Sequence, residues 1–390
     1  MIHVAAGPWH RVEDCRLDDL VALVDRGVDM AHFPLALRLD HGALVYDAAA
    51  LVTRAGTPDG RAEVLAELAE AFGDEGPGIA VFAGAFEGSV VDRASDVFRA
   101  LIDDQHRAGV ASGDHFAAPG ANDRVWNALE KLAVAAPDVF ADYYANPVVE
   151  LVSAAWLGPW YQITSQVNVV NPGGQAQAPH RDYHLGFQTD EDASRFPPHA
   201  HQLSAALTLQ GAVAHCDMPV ETGPTMYLPN THRYPLGYLA WRRPEFAAWF
   251  AEHHVQLPLR TGDAVFFNPA LFHAAGTNRT ADVRRMANLL QISSAMGRAM
   301  ESVDRDRMSR ALYPVLLDWV QRGTDMGDVR RVVAASAEGY PFPTNLDRDP
   351  PLGGLAPPSQ ADIVLAALAE RLPVEALHER LDDHAHRRRT

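Results

Sequence analysis

The stretch "GDAVFFNPALFHAAGTNRTADVRRMANLLQIS" runs from Gly262 to Ser293 and sets the fold class. With the preceding "VQLPLRT" it predicts two strands around a turn at Thr261-Gly262-Asp263. A small-residue turn, "AAGT", follows His273 and leads into a further strand, "RRMANLLQIS". Working outward, "YQITSQVNVVNPGG" alternates, with Thr164, Gln166 and Asn168 on one face and a Pro-Gly turn at its end. "QLSAALTLQGAVAHC" reads as a strand that carries Leu203, Leu207, Leu209 and Val213 on one side and Ser204, Thr208 and Gln210 on the other. "GPTMYLPNTHR" adds a short strand and a turn. Several short strands with turn signals between 161 and 293 predict an α+β chain whose β core is mainly antiparallel, a sandwich or barrel.

Helical patterns flank this core. Leu17, Leu20, Val21 and Val24 follow a helical spacing, and "RAEVLAELAEAFGDEGPG" predicts a second helix closed at Gly73. "GIAVFAGAF" predicts a buried strand that enters a long helix, "SVVDRASDVFRALIDDQ", capped at Ser89 with Asp92. "DRDRMSRALYPVLLDWVQRG" and "SQADIVLAALAERL" bring the helices back, the latter with an S-x-x-D cap at Ser359 and Asp362. The expected organisation is an N-terminal helical segment over 1–77, a β domain over 78–295 and a C-terminal helical extension over 296–390.

Composition excludes several classes. The 390 residues are 47% hydrophobic and carry a formal net charge of −17, so nucleic acid and anionic membrane are not expected partners. No apolar run reaches about 18 residues, and the N-terminus lacks the layout of a signal peptide. Cys15 and Cys216, so far apart, do not form a disulfide framework or a cysteine-rich zinc site, and a cytoplasmic location is expected.

A second stretch, "APHRDYHLGF" (Ala178 to Phe187), sets the chemistry. In a strand, residues two apart share a face, so His180 and Asp182 can chelate one metal. Two histidines and a carboxylate on one side of Fe(II) leave positions open for a bidentate co-substrate and O2. The other histidine must come from elsewhere: His199, His201, His215, His232, His253, His254 and His273 are available. His273 stands out, because it follows a strongly apolar strand and precedes a turn into a strand carrying Arg284. The planar arginine fork binds a carboxylate through two parallel hydrogen bonds, so Arg284, if its strand pairs with the His273 region, can hold 2-oxoglutarate.

"PHRDYH", "ETGPTMYLPNTHR", "GDAVFFNPALFHAAGTNRT" and "RRMANLLQIS", in that order, resemble the successive motifs of the phytanoyl-CoA dioxygenase family. The resemblance covers about 78 to 295 and implies a double-stranded β-helix, or jelly-roll, with Fe(II), 2-oxoglutarate and O2 as reaction partners. It implies that His180, Asp182 and His273 bind iron and that Arg284, eleven residues after His273, grips 2-oxoglutarate. Arg284 and Arg285 point to opposite faces of a strand, and the spacing selects Arg284. Gln166 and Asn168, and Asn288 on the face of Arg284, are candidates for hydrogen bonds to co-substrate or substrate. His184 is expected outside the ligand set, and His232 in "PNTHRYP" is expected to be structural. Asp182 stands where halogenating relatives carry a small residue, so hydroxylation of a small-molecule substrate is the expected outcome. The rival readings are a non-catalytic metal or 2-oxoglutarate sensor, and a cupin-like metalloenzyme without 2-oxoglutarate. Oligomeric state is not legible.

Overall fold

The computed structural model describes residues 9–109 and 120–389. Eleven strands are present among the described residues: β1 (Arg38–Asp40), β2 (Ala43–Asp47), β3 (Ile79–Ala83), β4 (Asn122–Val125), β5 (Gln162–Val170), β6 (Thr208–Ala214), β7 (Met226–Leu228), β8 (Val255–Gln256), β9 (Ala264–Phe267), β10 (Phe272–Ala274) and β11 (Arg285–Ser293). They form an eight-stranded sheet in the order β1-β2-β3-β9-β6-β11-β5-β4 and a three-stranded sheet in the order β10-β7-β8. β9 runs antiparallel to both β3 and β6, and β7 runs antiparallel to both β10 and β8. Only the β2–β3 pair is described as parallel. This is the mainly antiparallel α+β architecture expected for a double-stranded β-helix.

The described chain divides into two compact units. The first takes residues 9–85, 120–124 and 168–289; the second takes 86–109, 125–167 and 290–389. Neither follows the three consecutive segments expected from the sequence. Residues 1–77 do not supply helices alone, because β1 and β2 join the large sheet next to β3. The signal was weak: "ALVYD" is five residues long and is followed at once by a helix capped by Asp47.

In the first unit, alternation along the strands builds one apolar layer. Ala43, Val45, Ile79, Val81, Ala212, Ala214, Val265 and Phe267 meet Tyr227 and Leu271, with Cys216, Ala287 and Leu289 packed alongside. A second layer collects Leu20, Leu228, Tyr234, Leu239, Phe246, Phe250 and Phe272. The turns are made by side chains as well as by glycine. Gly262 has φ +89°, and Asp263 accepts from the Arg260 N–H at 2.8 Å. Asn268 accepts from the Ala270 N–H at 2.9 Å and so reverses the chain between β9 and β10. "QLSAALTLQ" is not one strand: Pro198–Ala206 is a helix, and β6 starts only at Thr208. Pro198 opens that helix, and the Leu/Ser/Ala run continues it better than it would a strand.

In the second unit, helices at Gly88–Arg107, Ala128–Ala135, Pro137–Tyr144 and Pro147–Leu157 precede those at Arg305–Arg322, Met326–Ser336, Gln360–Ala369 and Val374–Arg388. Phe98, Phe140, Tyr144, Leu312 and Tyr313 are fully buried or nearly so. The Tyr313 hydroxyl donates to the Leu372 carbonyl at 2.8 Å, which satisfies a polar group inside this core. The cap at Ser359 and Asp362 forms in both directions, whereas the long helix of 88–107 starts after Glu87 without the expected Ser89 cap. The family resemblance also implies a loop over the substrate at about 107 to 125, of which residues 110–119 lie outside the described residues.

Candidate metal centre

His180 and His273 face each other across an isolated antiparallel bridge, with the His180 N–H donating to the His273 carbonyl at 2.9 Å and the reverse bond at 3.1 Å. This pairing joins two stretches 93 positions apart in number and puts their side chains on one side. Asp182, two residues on, shares that side. The three ligand atoms lie within 4.8 Å of one another. Nε2 of His273 is 3.3 Å and Nε2 of His180 is 3.8 Å from the Asp182 carboxylate.

Each histidine is held in one tautomer. Nδ1 of His180 bonds to the Ala178 carbonyl and Nδ1 of His273 to the Leu271 carbonyl, both at 2.9 Å. A carbonyl can only accept, so Nδ1 carries the proton and the Nε2 lone pair points at the shared space. Asp182 is oriented by Gln210, whose Nε2 donates to Oδ2 at 2.6 Å. Burial opposes ionisation of Asp182, but the two histidines and the Gln210 bond outweigh it and hold the carboxyl well below the usual range. Two neutral imidazoles and one carboxylate, converging with their outer atoms already tied, fit Fe(II) in the facial arrangement.

His184 is not part of this set; its backbone N–H donates to Ser204 Oγ at 2.8 Å. His232 bonds to the Gly73 carbonyl at 2.8 Å, and burial lowers its pKa to about 3. His201 bonds the Ala193 carbonyl at 3.1 Å. His199, His215, His253 and His254 also lie outside the cluster.

The structure places the arginine expected to hold the co-substrate and its neighbour in different surroundings. Arg284 is 58% exposed in its side chain, and it bonds Asp123 at 2.9 Å and Asn171 at 3.0 Å. Its neighbour Arg285 is only 6% exposed, and its Nη1 has no hydrogen-bond partner among the described residues. Arg285 shares strand parity with Ala287 and Leu289, which pack on the cluster containing Tyr227 and Phe267. The His273 ring stacks edge-on against Phe267 at 4.8 Å, so that layer adjoins the metal cluster. Burial pushes the Arg285 guanidinium down to about 10, which leaves it cationic at neutral pH. Spacing from His273 located the region, but the start of pairing in β11 decided which arginine turned inward. Asn288, with the parity of Arg284, faces away from this layer despite its full burial. Gln166 and Asn168 lie on β5, where Gln166 Nε2 and Asn168 Oδ1 are buried without a partner among the described residues. Sequence reasoning did not single out Gln210, and it ranked Arg284 above Arg285. A glutamine sharing the face of two alanines in an otherwise apolar strand was the available signal for Gln210.

A profile of the phytanoyl-CoA dioxygenase family matches residues 75–286, more than half of the chain. The chain belongs to that family. That family comprises non-haem oxygenases that use iron and 2-oxoglutarate, and the clustered His180, Asp182 and His273 lie within the matched residues. Similarity to individual proteins is more distant. The dioxygenase cdmD of Talaromyces verruculosus is 24% identical over 148 residues, covering 38% of this chain, and the chain spans 44% of that relative's length. Among solved structures, the alpha-ketoglutarate-dependent epimerase SnoN from nogalamycin biosynthesis is 22% identical, with a TM-score of 0.44 over 60% of this chain and 82% of its own. The carbocyclase SnoK from nogalamycin biosynthesis is 20% identical, with a TM-score of 0.41 over 63% of this chain and 89% of its own. Among the described residues, no helix is long and apolar enough to cross a membrane.

Proposed function

We propose that this phytanoyl-CoA dioxygenase family member hydroxylates an unactivated C–H bond of a small molecule, with His180, Asp182 and His273 holding iron and Arg285 gripping 2-oxoglutarate. Iron held by His180, Asp182 and His273 would, with 2-oxoglutarate and O2, supply the oxidant, with succinate and CO2 as co-products. The chain's own groups set the geometry. The two Nδ1–carbonyl bonds aim both imidazoles at one point, and Gln210 fixes the carboxylate plane. The observation that carries the co-substrate assignment is the buried Arg285 guanidinium beside the layer of Tyr227 and Phe267, with Nη1 lacking a partner among the described residues. An unpaired buried cation is costly, and a carboxylate of a bound dicarboxylate relieves that cost with two parallel hydrogen bonds. Asn168 is proposed to bond the co-substrate or substrate through Oδ1, which is buried without a partner among the described residues.

The substrate proposed is a free small molecule and not an acyl-CoA. A CoA moiety favours a basic patch, and the chain's net charge is −17. Arg242, Arg243, Arg331 and Arg387 are each already paired with an acid.

One anaerobic titration tests this reading. Fe(II) is added, then 2-oxoglutarate, and the visible charge-transfer band of the chelate is recorded. A band in the wild type supports the iron and co-substrate assignments, and its absence overturns them. A band without succinate formation, across a panel of substrates, favours a sensor over an enzyme.

A further inference from the structure

The geometry points to Arg181, between two of the metal ligands in sequence, as the positioning residue that locks all three ligands from behind. The inference rests on the metal reading of His180, Asp182 and His273. By strand alternation the Arg181 side chain leaves on the side opposite His180 and Asp182. It is 2% exposed, and no carboxylate pairs with it among the described residues.

Its guanidinium sits instead between two rings, 5.1 Å from the Tyr238 centroid and 5.2 Å from the Phe272 centroid. Both rings lead to other ligands. Phe272 directly precedes His273, and the Tyr238 hydroxyl donates to the Asp182 carbonyl at 3.3 Å. Nη2 of Arg181 donates to the Thr231 carbonyl, and to the Tyr234 carbonyl at 3.0 Å. Thr231 in turn accepts from the Phe272 N–H through Oγ1 at 2.9 Å. Thr231, fully buried, therefore holds both the arginine that follows His180 and the phenylalanine that precedes His273. The front of the bridge presents the ligands, and its back is one cation–aromatic clamp.

Gly237 completes the clamp by absence. A Cβ there would overlap the Arg181 guanidinium, so a side chain at 237 and this arginine position exclude each other. An arginine buried this way specifies geometry through directional bonds to two carbonyls and two ring faces, which an aliphatic side chain of the same length cannot reproduce.

The test measures Co(II) binding to the full-length protein, with its d–d absorption, for wild type, Arg181→Met, Arg181→Lys and Gly237→Ala, alongside thermal melting of the metal-free forms. Loss of outer contacts to ligating residues typically lowers metal affinity about 10–100-fold, and that loss is expected for Arg181→Met. Arg181→Lys is expected to recover part of it with a shifted d–d spectrum, because charge returns without the planar fork. Gly237→Ala is expected to mimic Arg181→Met, since it displaces the unaltered arginine. Wild-type affinity, within twofold, in folded Arg181→Met overturns the inference. If Arg181→Met does not fold, Gly237→Ala and Arg181→Lys decide by the same twofold criterion. Failure of the wild type to bind Co(II) would instead sink the metal reading itself.

Discussion

Arg284 and Arg285 are adjacent in the chain and opposite in the fold: the first bonds Asp123 at 2.9 Å with its side chain 58% exposed, and the second is buried with Nη1 unpaired among the described residues. That difference yields a direct comparison. Arg285→Ala is expected to weaken 2-oxoglutarate binding by roughly 100-fold, since charge-assisted bonds contribute about 1.5–3 kcal/mol each. Arg284→Ala is expected to change it by less than about threefold, as an exposed ion pair is worth about 0–1 kcal/mol. Isothermal titration of the metal-loaded protein checks both, and the reverse ranking would return the anchor to Arg284.

Gln210 is the second discriminating residue. Gln210→Leu keeps the approximate volume but removes the 2.6 Å donor to Asp182. Metal affinity is expected to fall about 10-fold or more, with little change in the metal-free melting curve. Equal Co(II) dissociation constants for variant and wild type would show that the carboxylate needs no such support.

His273 and His184 should behave differently. His273→Ala removes a ligand and is expected to abolish the charge-transfer band at any attainable Fe(II) concentration. His184→Ala is expected to retain the band at its wild-type position, because His184 lies outside the ligand cluster. A shifted or lost band in His184→Ala would bring it into the ligand set.

The acid limb of stability should carry a signature of His232. Its folded pKa is lowered to about 3 by burial, from an ordinary value near 6.5. The unfolded chain therefore binds a proton that the folded chain refuses between these values, so stability falls as pH drops from about 6.5 toward 3. The slope from this one group approaches about 1.4 kcal/mol per pH unit. His232→Gln keeps a donor for the Gly73 carbonyl and removes the titration, so urea denaturation across this pH range should show a shallower decline. An unchanged slope would show that His232 charges freely in the folded state.

Much of the site was legible because it is local. His180 and Asp182 share a strand face by the two-residue period alone, and His273 was marked by the apolar strand before it and the turn after it. The helix cap at Ser359 was legible for the same reason, since its bonds span three residues. The strand read through "QLSAALTLQ" failed because helix and strand compete closely there, and the Pro198 start settled it. β2 escaped notice because it pairs with β3, over thirty positions away, which no local pattern records, and β1, its hairpin partner, is only three residues long.

By itself, the sequence determined the β-rich core through short-range periodicity, and the order of its motifs carried the family resemblance that marks His180, Asp182 and His273 as candidate ligands. Tertiary structure alone decided which of two adjacent arginines faces the layer beside the metal cluster, and that Gln210 reaches Asp182. It also decided that Arg181 is gripped between Tyr238 and Phe272 behind the ligands. The physical reason is the same in each case. A strand's parity reverses with a one-residue shift in pairing, and a buried side chain's partners come from segments whose meeting depends on every turn between them.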